Sequence, residues 1–536
     1  MPIPYLRIGT PTMNGLSATM IFTVIGLYFL VLFFISYFTG KNANQEDFFT
    51  ANRSSKWYLV AFGMIGASLS GVTFISIPGA VGAFPEVYDA ITGAPQAKSN
   101  IAFSYMQMVF GYFLGYVVIS MVLLPLYYRL QLTSIYTYLE QRFGYYAYKI
   151  GAAYFLLSRI IGASFRLYLV AIVFQTVCDM TQISIPFSAT VAITIALIWL
   201  YTFRGGIKTI VYTDTLQTLF MLGAAAFTIY AIADKMGQSI GEIFTTVYDS
   251  PYSQVFFFED GWSDPNNFFK QFISGALITI VMTGLDQDMM QKNLSCRNLK
   301  EAKRNMITFA SVLIVVNMLF LGLGALLYIY GAQIGLEVPS ITNAAGDVVL
   351  KTDLLYPIIA LQHLSPVAGI AFILGIIAAA YSSADSALTA LTTSFCVDFL
   401  DFEKNKANPK NKNTRLKVHL GFSIILFLVI IVFHAISNDA IINDLFKIAG
   451  YTYGPLLGLF AFGIFTKRQI KNELVIPVCL IAPILSYILN KNDLFLPLIG
   501  FSFSLGFLII LLNGVLTFIG LWLITDKDVE YIQEQF

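Results

Sequence analysis

The sequence predicts an all-α membrane protein with about thirteen spanning helices. Of its 536 residues, 57% are hydrophobic and 12% are charged, whereas a soluble domain is roughly 45–50% apolar and about 25% charged. Apolar stretches of about 20 residues, the length that crosses the hydrocarbon core as a helix, recur along the whole chain. They are continuous, which excludes a β-barrel, whose strands alternate apolar and polar residues. The net charge of +1 gives no indication of nucleic-acid binding.

The apolar stretches define the predicted spans. These are 19–39, 57–83, 101–127, 150–178, 183–203, 209–233, 269–290, 305–331, 366–398, 418–436, 440–466, 474–490 and 495–524. No segment between them is long enough for a soluble catalytic domain. We therefore expect neither an enzyme nor a sensor with its own signalling domain.

Basic residues set the predicted orientation, because loops on the inner side of a membrane carry an excess of Lys and Arg. With the amino terminus outside, the inward loops hold 23 of the 32 Lys and Arg residues, and Lys292 is counted among them. Arg159, Arg166 and Lys447 lie inside predicted spans. The bias predicts an outside amino terminus and an inside carboxy terminus, in a membrane of the bacterial inner-membrane type.

The second predicted span is rich in small residues. Residues 63–79 concentrate glycine, serine and threonine and end in Pro78 and Gly79. Such a composition lets a helix unwind and expose backbone carbonyls, which at membrane depth is tolerated only around a cavity or an ion. It also suits close packing between helices through small residues. The sequence leaves both interpretations open.

Two carboxylates lie within apolar spans. A charge at the centre of a spanning helix costs at least about 2.5–3.5 kcal/mol unless it is paired or hydrated. Ser382, Asp385 and Ser386 share one helix face by their spacing, and hydroxyl and carboxylate oxygens are the ligands that hard cations prefer. Asp214, about two turns into the sixth span, is a candidate partner. Each acid taken alone could also be a hydrogen-bonded structural group.

Four motifs give the chain a resemblance to the sodium/solute symporter family, which includes sodium-coupled carriers of sugars, proline, pantothenate, iodide and sialic acid. The motifs are residues 66–70, 205–217, 286–291 and 379–386. The resemblance implies a LeuT-like fold of two inverted five-helix repeats, 57–233 and 269–466, within a single transporter domain. One extra helix, 19–39, would precede the repeats, and two more, within 474–524, would follow them.

The resemblance also implies where sodium binds. In this family the main site uses carbonyls of the broken helix together with a carbonyl and two hydroxyls of the serine-bearing helix. Here those residues are Gly66, Leu69, Ala379, Ser382 and Ser383. Some members have a second cation site around an acid of the sixth helix. Here its residues would be Asp214, Ser382, Asp385 and Ser386. Asp385 departs from the sialic-acid members, which have hydroxyls at both later positions, and we expect one or two sodium ions as the coupling ion.

The solute is expected beside the broken helix, at the interface between the repeats. The candidate solute-binding residues are Ser70, Thr73, Tyr105, Gln107, Arg159, Arg166, Asp286, Gln287 and Lys447. The basic residues among them could bind the solute, neutralise Asp286 or Asp288, or extend to the membrane surface. Arg159 and Arg166 are seven residues apart and so lie on one face of the fourth span.

These features together predict a sodium-coupled symporter that imports a small organic solute by alternating access. The basic residues favour an organic anion or a sugar acid such as sialic acid. A sodium-coupled carrier of neutral sugars or amino acids is the first alternative. A sodium-conducting channel or a transporter-like sensor is the alternative from another class. The expected partners are the solute and the lipid bilayer.

Overall fold

The computed structural model of the protein is built almost entirely of helices over the residues that it describes. It describes residues 16–530 except 42, 84–86, 89–94, 97–100, 181–183, 259–263, 265, 343–347, 406–407, 409, 437–438 and 491–507. In chain order the helices are α1 (Ala18–Gly40), α2 (Gln45–Thr50), α3 (Trp57–Ser68), α4 (Gly71–Ala80), α5 (Tyr105–Val118), α6 (Leu124–Arg129), α7 (Thr137–Phe143), α8 (Tyr145–Met180), α9 (Phe187–Thr202), α10 (Ile207–Met236), α11 (Ile240–Tyr248), α12 (Phe268–Thr279), α13 (Gln287–Leu294), α14 (Leu299–Gln333), α15 (Leu355–Ile358), α16 (Pro366–Ser394), α17 (Asn411–Ile436), α18 (Asp439–Phe465), α19 (Val475–Leu489) and α20 (Ile509–Leu523).

Short π-helical and β segments complete the architecture. The π-helical turns follow α5, α12, α15 and α16 at Ile119–Leu123, Ile280–Gly284, Ile359–His363 and Phe395–Phe399. The described residues form three pairs of antiparallel strands, of which the first two join neighbouring segments and the third joins segments on either side of α19 and α20. The pairs are β1 (Val87–Tyr88) with β2 (Pro95–Gln96), β3 (Ser340–Thr342) with β4 (Val348–Leu350), and β5 (Arg468–Ile470) with β6 (Thr525–Glu530).

Helices coincide with the apolar segments that the sequence indicates. Among the described residues, eight helices are long and apolar enough to cross a membrane, or ten if each of two sharply bent pairs is one span. Three shorter apolar helices, Phe187–Thr202, Gly450–Phe465 and Ile509–Leu523, correspond to further predicted spans. The first part of the last predicted span, 495–507, lies outside the described residues. The number of crossings and their orientation stay predictions.

Two spans are broken in the middle. The second predicted span consists of α3 and α4, whose axes differ by 62°. The seventh consists of α12 with its π-helical turn and then α13, at 67° to each other. We expected unwinding only in the second span. The additional break arises because Asp286 is extended and caps α13, its side chain accepting from the Asp288 amide. Each break falls in the first helix of a predicted repeat.

Helix α16 forms the centre of the bundle. Every residue from Gly375 to Ser394 is buried, because the helix is covered on all sides and its residues are mostly small or apolar. Gly375 sits so close to α10 that an added Cβ would lie 2.5 Å from Ala224 Cβ. By contrast, α1 and α17 expose large apolar side chains such as Phe34 and Leu428. These helices therefore form the periphery, where lipid is the solvent.

Close contact between α5 and α12 depends on two glycines. A Cβ at Gly111 would lie 2.1 Å from the Phe272 carbonyl oxygen, and one at Gly275 would lie 2.2 Å from the Met108 carbonyl oxygen. The obstructing atoms are backbone, so the helices themselves would have to separate. We expect Gly111→Ala to destabilise the protein by about 1–3 kcal/mol, the usual cost of overpacking, measured as a lower unfolding temperature in detergent.

Gly162 in α8 is the matched control, since no atom of the described residues lies within 4 Å of the position that a Cβ would take there. Gly162→Ala should leave the unfolding temperature unchanged or raise it, because alanine suits a helix interior better than glycine by roughly 0.5–1 kcal/mol. Equal effects of the two substitutions would contradict the close packing of α5 on α12.

Candidate functional site

The break between α3 and α4 lies beside the central helix. Leu69 is buried and has an extended conformation with φ −88° and ψ 92°, so α3 ends at Ser68. Ser70 is extended as well and precedes the first residue of α4. The last carbonyls of a helix have no intrahelical partner. Backbone oxygens at the end of α3 are therefore available at the level of the serines of α16.

Glycines bring α3 against α10 just before the break. The Gly66 amide donates to Thr218 Oγ1 at 3.0 Å. A Cβ at Gly66 would lie 2.4 Å from Thr218 Oγ1 and 3.3 Å from Ser382 Oγ, and one at Gly63 would lie 3.0 Å from Asp214 Cβ. Both interpretations of the small residues therefore apply: Gly63 and Gly66 permit close packing, and the chain unwinds after them.

The serines of α16 meet this end of α3. Ser383 Oγ donates to the Ala67 carbonyl oxygen at 3.4 Å. Ser382 Oγ is buried and has no hydrogen-bond partner among the described residues, an unusual state for a buried hydroxyl. Ala379 lies one turn earlier on α16 and is also buried. The structure thus brings together the broken helix and the two hydroxyls predicted for the main sodium site, and an oxygen that lacks a partner suits a cation ligand.

Asp214 is paired with a lysine inside the bundle. Lys292 Nζ lies 2.6 Å from Asp214 Oδ2, and both side chains are almost fully buried. With its amide oriented to satisfy its neighbours, Gln217 donates to Asp214 Oδ1 at 3.2 Å. Ser382 and Ser386 face the same carboxylate from α16. The acid predicted for the second cation site is therefore already in contact with a positive charge of the chain.

The prediction that Lys292 belongs to an inward loop is wrong. It lies in α13 and is 1% exposed. The break at Asp286 redirects the chain, so residues just beyond the predicted end of the seventh span remain inside the protein. It comes directly after the motif 286–291 and four residues after Asp288, and this helical spacing is the sequence signal that could have identified it.

Asp385 links α16 to α9. Tyr201 donates its hydroxyl to Asp385 Oδ2 at 2.9 Å, and Ser386 Oγ donates to Asp385 Oδ1 at 3.3 Å. No basic side chain forms an ion pair with Asp385 among the described residues. Asp385 is fully buried and lies near enough to Asp214 and Lys292 to interact with both. Sequence reasoning missed Tyr201, which carries no distinguishing pattern within its apolar helix.

A second charged cluster surrounds the break before α13. Arg159 of α8 forms ion pairs with both acids, at 3.6 Å from Asp286 Oδ2 and closer still to Asp288. Tyr453 of α18 donates its hydroxyl to Asp286 Oδ2 at 2.7 Å. Of the alternatives left open for Arg159, the structure shows neutralisation of Asp286 and Asp288. The cluster joins α8, α13 and α18.

Two predicted solute-binding amides have structural partners. Gln107 Nε2 donates to the Asn266 carbonyl oxygen at 2.8 Å, and its Oε1 accepts from the Phe257 amide at 3.1 Å. Gln287 Nε2 donates to the Thr133 carbonyl oxygen at 2.7 Å, and its Oε1 accepts from the Ile135 amide at 3.0 Å. Contact of either amide with the solute stays a prediction and requires these bonds to open.

The remaining solute candidates differ in what surrounds them. Ser70 and Thr73 face each other, with their hydroxyl oxygens 3.5 Å apart beside the break. The Tyr105 hydroxyl lies 3.1 Å from that of Tyr112 on the same helix. The side chain of Lys447 lies outside the described part of the protein.

Arg166 is the second basic side chain of this region. It lies two turns after Arg159 on α8, near Arg159, Tyr453 and Asp286. It is partly buried and forms no ion pair with any residue that the structure describes. A buried guanidinium without an acid is costly unless a ligand supplies the negative charge.

Comparison with known proteins identifies the family. The sequence profile of the Sodium:solute symporter family matches residues 48–473, which is most of the chain. The protein belongs to the sodium:solute symporter family. It is therefore a multi-pass membrane protein that couples the movement of a solute to sodium, and it is a transporter rather than an enzyme.

Its similarity to two named relatives extends over most of this chain and most of theirs. The sodium/sialic acid symporter NanT of Aliivibrio fischeri is 26% identical over 498 residues, which cover 90% of this chain and 89% of the relative. The sodium/sialic acid symporter SiaT of Proteus mirabilis is 26% identical over 449 residues, covering 82% and 84%. A solved sodium-coupled sialic acid symporter superposes with a TM-score of 0.74 at 21% identity, covering 94% of this chain and 97% of that one.

The family match and the superposition confirm several sequence predictions: the family, the LeuT-like all-α fold class, the membrane localisation and sodium as the coupling ion. The repeat boundaries and the residues assigned to the sodium and solute sites stay predictions. They are supported by the geometry described above.

The contact between Gly66 and Thr218 gives a direct test of the break. Gly66→Ala should lower the unfolding temperature by several degrees and weaken sodium-dependent stabilisation, because the new methyl group collides with Thr218 Oγ1. The double variant Gly66→Ala, Thr218→Ala removes the colliding hydroxyl and should recover much of the unfolding temperature. Absence of recovery, measured by thermal unfolding with and without sodium, would show that the two residues are not in contact.

Proposed function

We propose that the protein imports a sugar acid of the sialic acid type together with sodium, by alternating access. The observation that carries the proposal is Arg166, a partly buried guanidinium on α8 without an ion-pair partner among the described residues. A guanidinium binds a carboxylate through two parallel, charge-assisted hydrogen bonds. The neighbouring Arg159 forms ion pairs with Asp286 and Asp288, whereas Arg166 forms none with any described residue, so we assign the solute carboxylate to Arg166.

The relatives support this class of solute. Two symporters that share 26% identity with most of this chain are named for sialic acid. Sialic acid combines a carboxylate with hydroxyl groups. Ser70 and Thr73, beside the break, supply hydroxyls for hydrogen bonds to such groups. Other members of the family carry different solutes, so Arg166 is the feature that favours an anion in this chain.

Sodium couples to the solute through the broken helix. In our proposal the ion binds carbonyl oxygens at Gly66, Leu69 and Ala379 and the hydroxyls of Ser382 and Ser383. A hard cation at this position joins α3 to α16 and holds the break in one arrangement. The solute then binds beside a helix that is already ordered, so sodium raises solute affinity, and the same coupling makes solute raise sodium affinity.

Uptake by protein reconstituted in lipid vesicles tests the solute. We expect an inward sodium gradient to drive accumulation of radiolabelled sialic acid. Arg166→Ala should weaken its binding by roughly 10- to 100-fold, because a charge-assisted hydrogen bond contributes about 1.5–3 kcal/mol. Sodium-dependent thermal stabilisation should persist in this variant, since Arg166 is not a sodium ligand.

Arg166→Lys is the matched control for charge. It keeps the positive charge but loses the bidentate geometry, so we expect binding between that of the unmodified protein and Arg166→Ala. Competition separates the alternatives: unlabelled sugar acids should block uptake, and neutral sugars and amino acids should not. Sodium-driven uptake of a neutral sugar that sugar acids fail to inhibit would overturn the proposal.

The main sodium site has a test that does not depend on the solute. Ser383→Ala removes one proposed oxygen ligand and should raise the sodium concentration for half-maximal thermal stabilisation by about tenfold or more. Ser423→Ala is the control, since Ser423 is also buried in a helix but, within the described part of the chain, its hydroxyl bonds only the His419 carbonyl oxygen of its own helix, at 2.9 Å. If both variants respond to sodium alike, the site lies elsewhere.

A further inference from the structure

The cluster around Asp214 contains its own cation. Lys292 Nζ lies 2.6 Å from Asp214 Oδ2 with both side chains almost fully buried. This is the carboxylate that sequence reasoning assigned to a second sodium ion. A sodium ion and an ammonium group cannot both occupy the same face of one carboxylate oxygen, because their charges repel and the space is already filled.

We propose that the ammonium group of Lys292 is the permanent second cation of this carrier, so that the protein binds a single sodium ion, at the main site. The predicted residues Asp214, Ser382, Asp385 and Ser386 then form a cation site whose occupant belongs to the chain. The proposal rests on the main sodium site described under the proposed function.

The balance of charge supports a single ion. The cluster holds two carboxylates, Asp214 and Asp385, and one ammonium group, Lys292. With both carboxylates ionised, one sodium ion at Ser382 and Ser383 brings the sum to zero. With Asp385 protonated, the pair of Asp214 and Lys292 is already neutral. Ser382 is shared, because its hydroxyl faces Gly66 at the main site and Asp214 in the cluster. A second sodium ion would leave an uncompensated positive charge away from water, which is strongly unfavourable.

The residues before and after Lys292 form hydrogen bonds that fix its position. Gln291 Nε2 donates to the Phe49 carbonyl oxygen at 2.6 Å and to Thr393 Oγ1 at 2.9 Å. Asn293 Oδ1 accepts from Asn305 Nδ2 at 2.7 Å. Helix α13 is therefore attached to α14, to α16 and to α2. These hydrogen bonds fix the backbone of α13 and so keep Lys292 next to Asp214, which a permanent cation requires.

Counting bound sodium tests the proposal. Equilibrium binding of radioactive sodium to the purified protein, without solute, should give about one ion per molecule. Lys292→Met removes the resident cation and leaves two carboxylates beside the free Ser382 hydroxyl, so about two ions should bind. Lys292→Arg keeps the charge and should give about one. The double variant Lys292→Met, Asp214→Asn removes both members of the pair and should also give about one.

The count on the unmodified protein decides the question even if the variants fail to fold. About two ions per molecule would overturn the proposal, as would a count of about one in folded Lys292→Met. Ser383→Ala separates this proposal from the proposed main site. Loss of sodium binding in that variant supports the main site, whereas an unchanged count of one places the single ion elsewhere and leaves the role of Lys292 to be judged by the lysine variants.

Discussion

Charges inside this helix bundle need opposite charges nearby, from other parts of the same chain or from bound ligands. Lipid offers no counter-ion, and removing one partner of a buried pair costs about 3–5 kcal/mol. Helix α13, which has only eight residues, forms ion pairs with two different helices. Asp288 pairs with Arg159 of α8, and Lys292, one turn later, pairs with Asp214 of α10. A short helix from the second predicted repeat is thereby joined to two helices of the first.

The break before α13 is what makes this arrangement geometrically accessible. A straight seventh span would carry Asp288 and Lys292 along the axis of α12 toward the membrane surface. The 67° bend at Asp286 instead lays α13 against the interior. The other break, between α3 and α4, has the complementary effect of directing backbone oxygens at α16. One break positions side-chain charges, and the other positions carbonyls.

Much of the architecture could be predicted from the sequence, because its signals are local. Long apolar stretches located the helices, and an acid in an apolar run is unusual enough to identify Asp214 and Asp385. The partners of these acids depend on three-dimensional register, which hydropathy does not contain. Lys292 was misplaced for a further reason: a lysine near the end of a span looks the same whether it faces the cytoplasm or an internal carboxylate.

Solute ligands are harder to predict from sequence than sodium ligands, for a related reason. The residues proposed for the main sodium site depend on backbone geometry that the family shares, and the run of small residues before Leu69 indicates that geometry. Solute-binding side chains vary with the solute, and the same residue types also hold loops together. Gln107 and Gln287 illustrate this, since their amides bond backbone groups of neighbouring segments. Only the distribution of acids in the folded chain separates Arg166 from Arg159.

A lysine that serves as a built-in cation changes the energy source of the carrier. One sodium ion moving with one monoanion transfers no net charge, so a membrane voltage of 100 mV, worth about 2.3 kcal/mol for each charge, contributes nothing to uptake. Accumulation then follows the sodium concentration ratio alone, at about 1.4 kcal/mol for each tenfold difference. Such a cell would continue to concentrate its solute after its membrane potential had collapsed, for as long as sodium remained more concentrated outside.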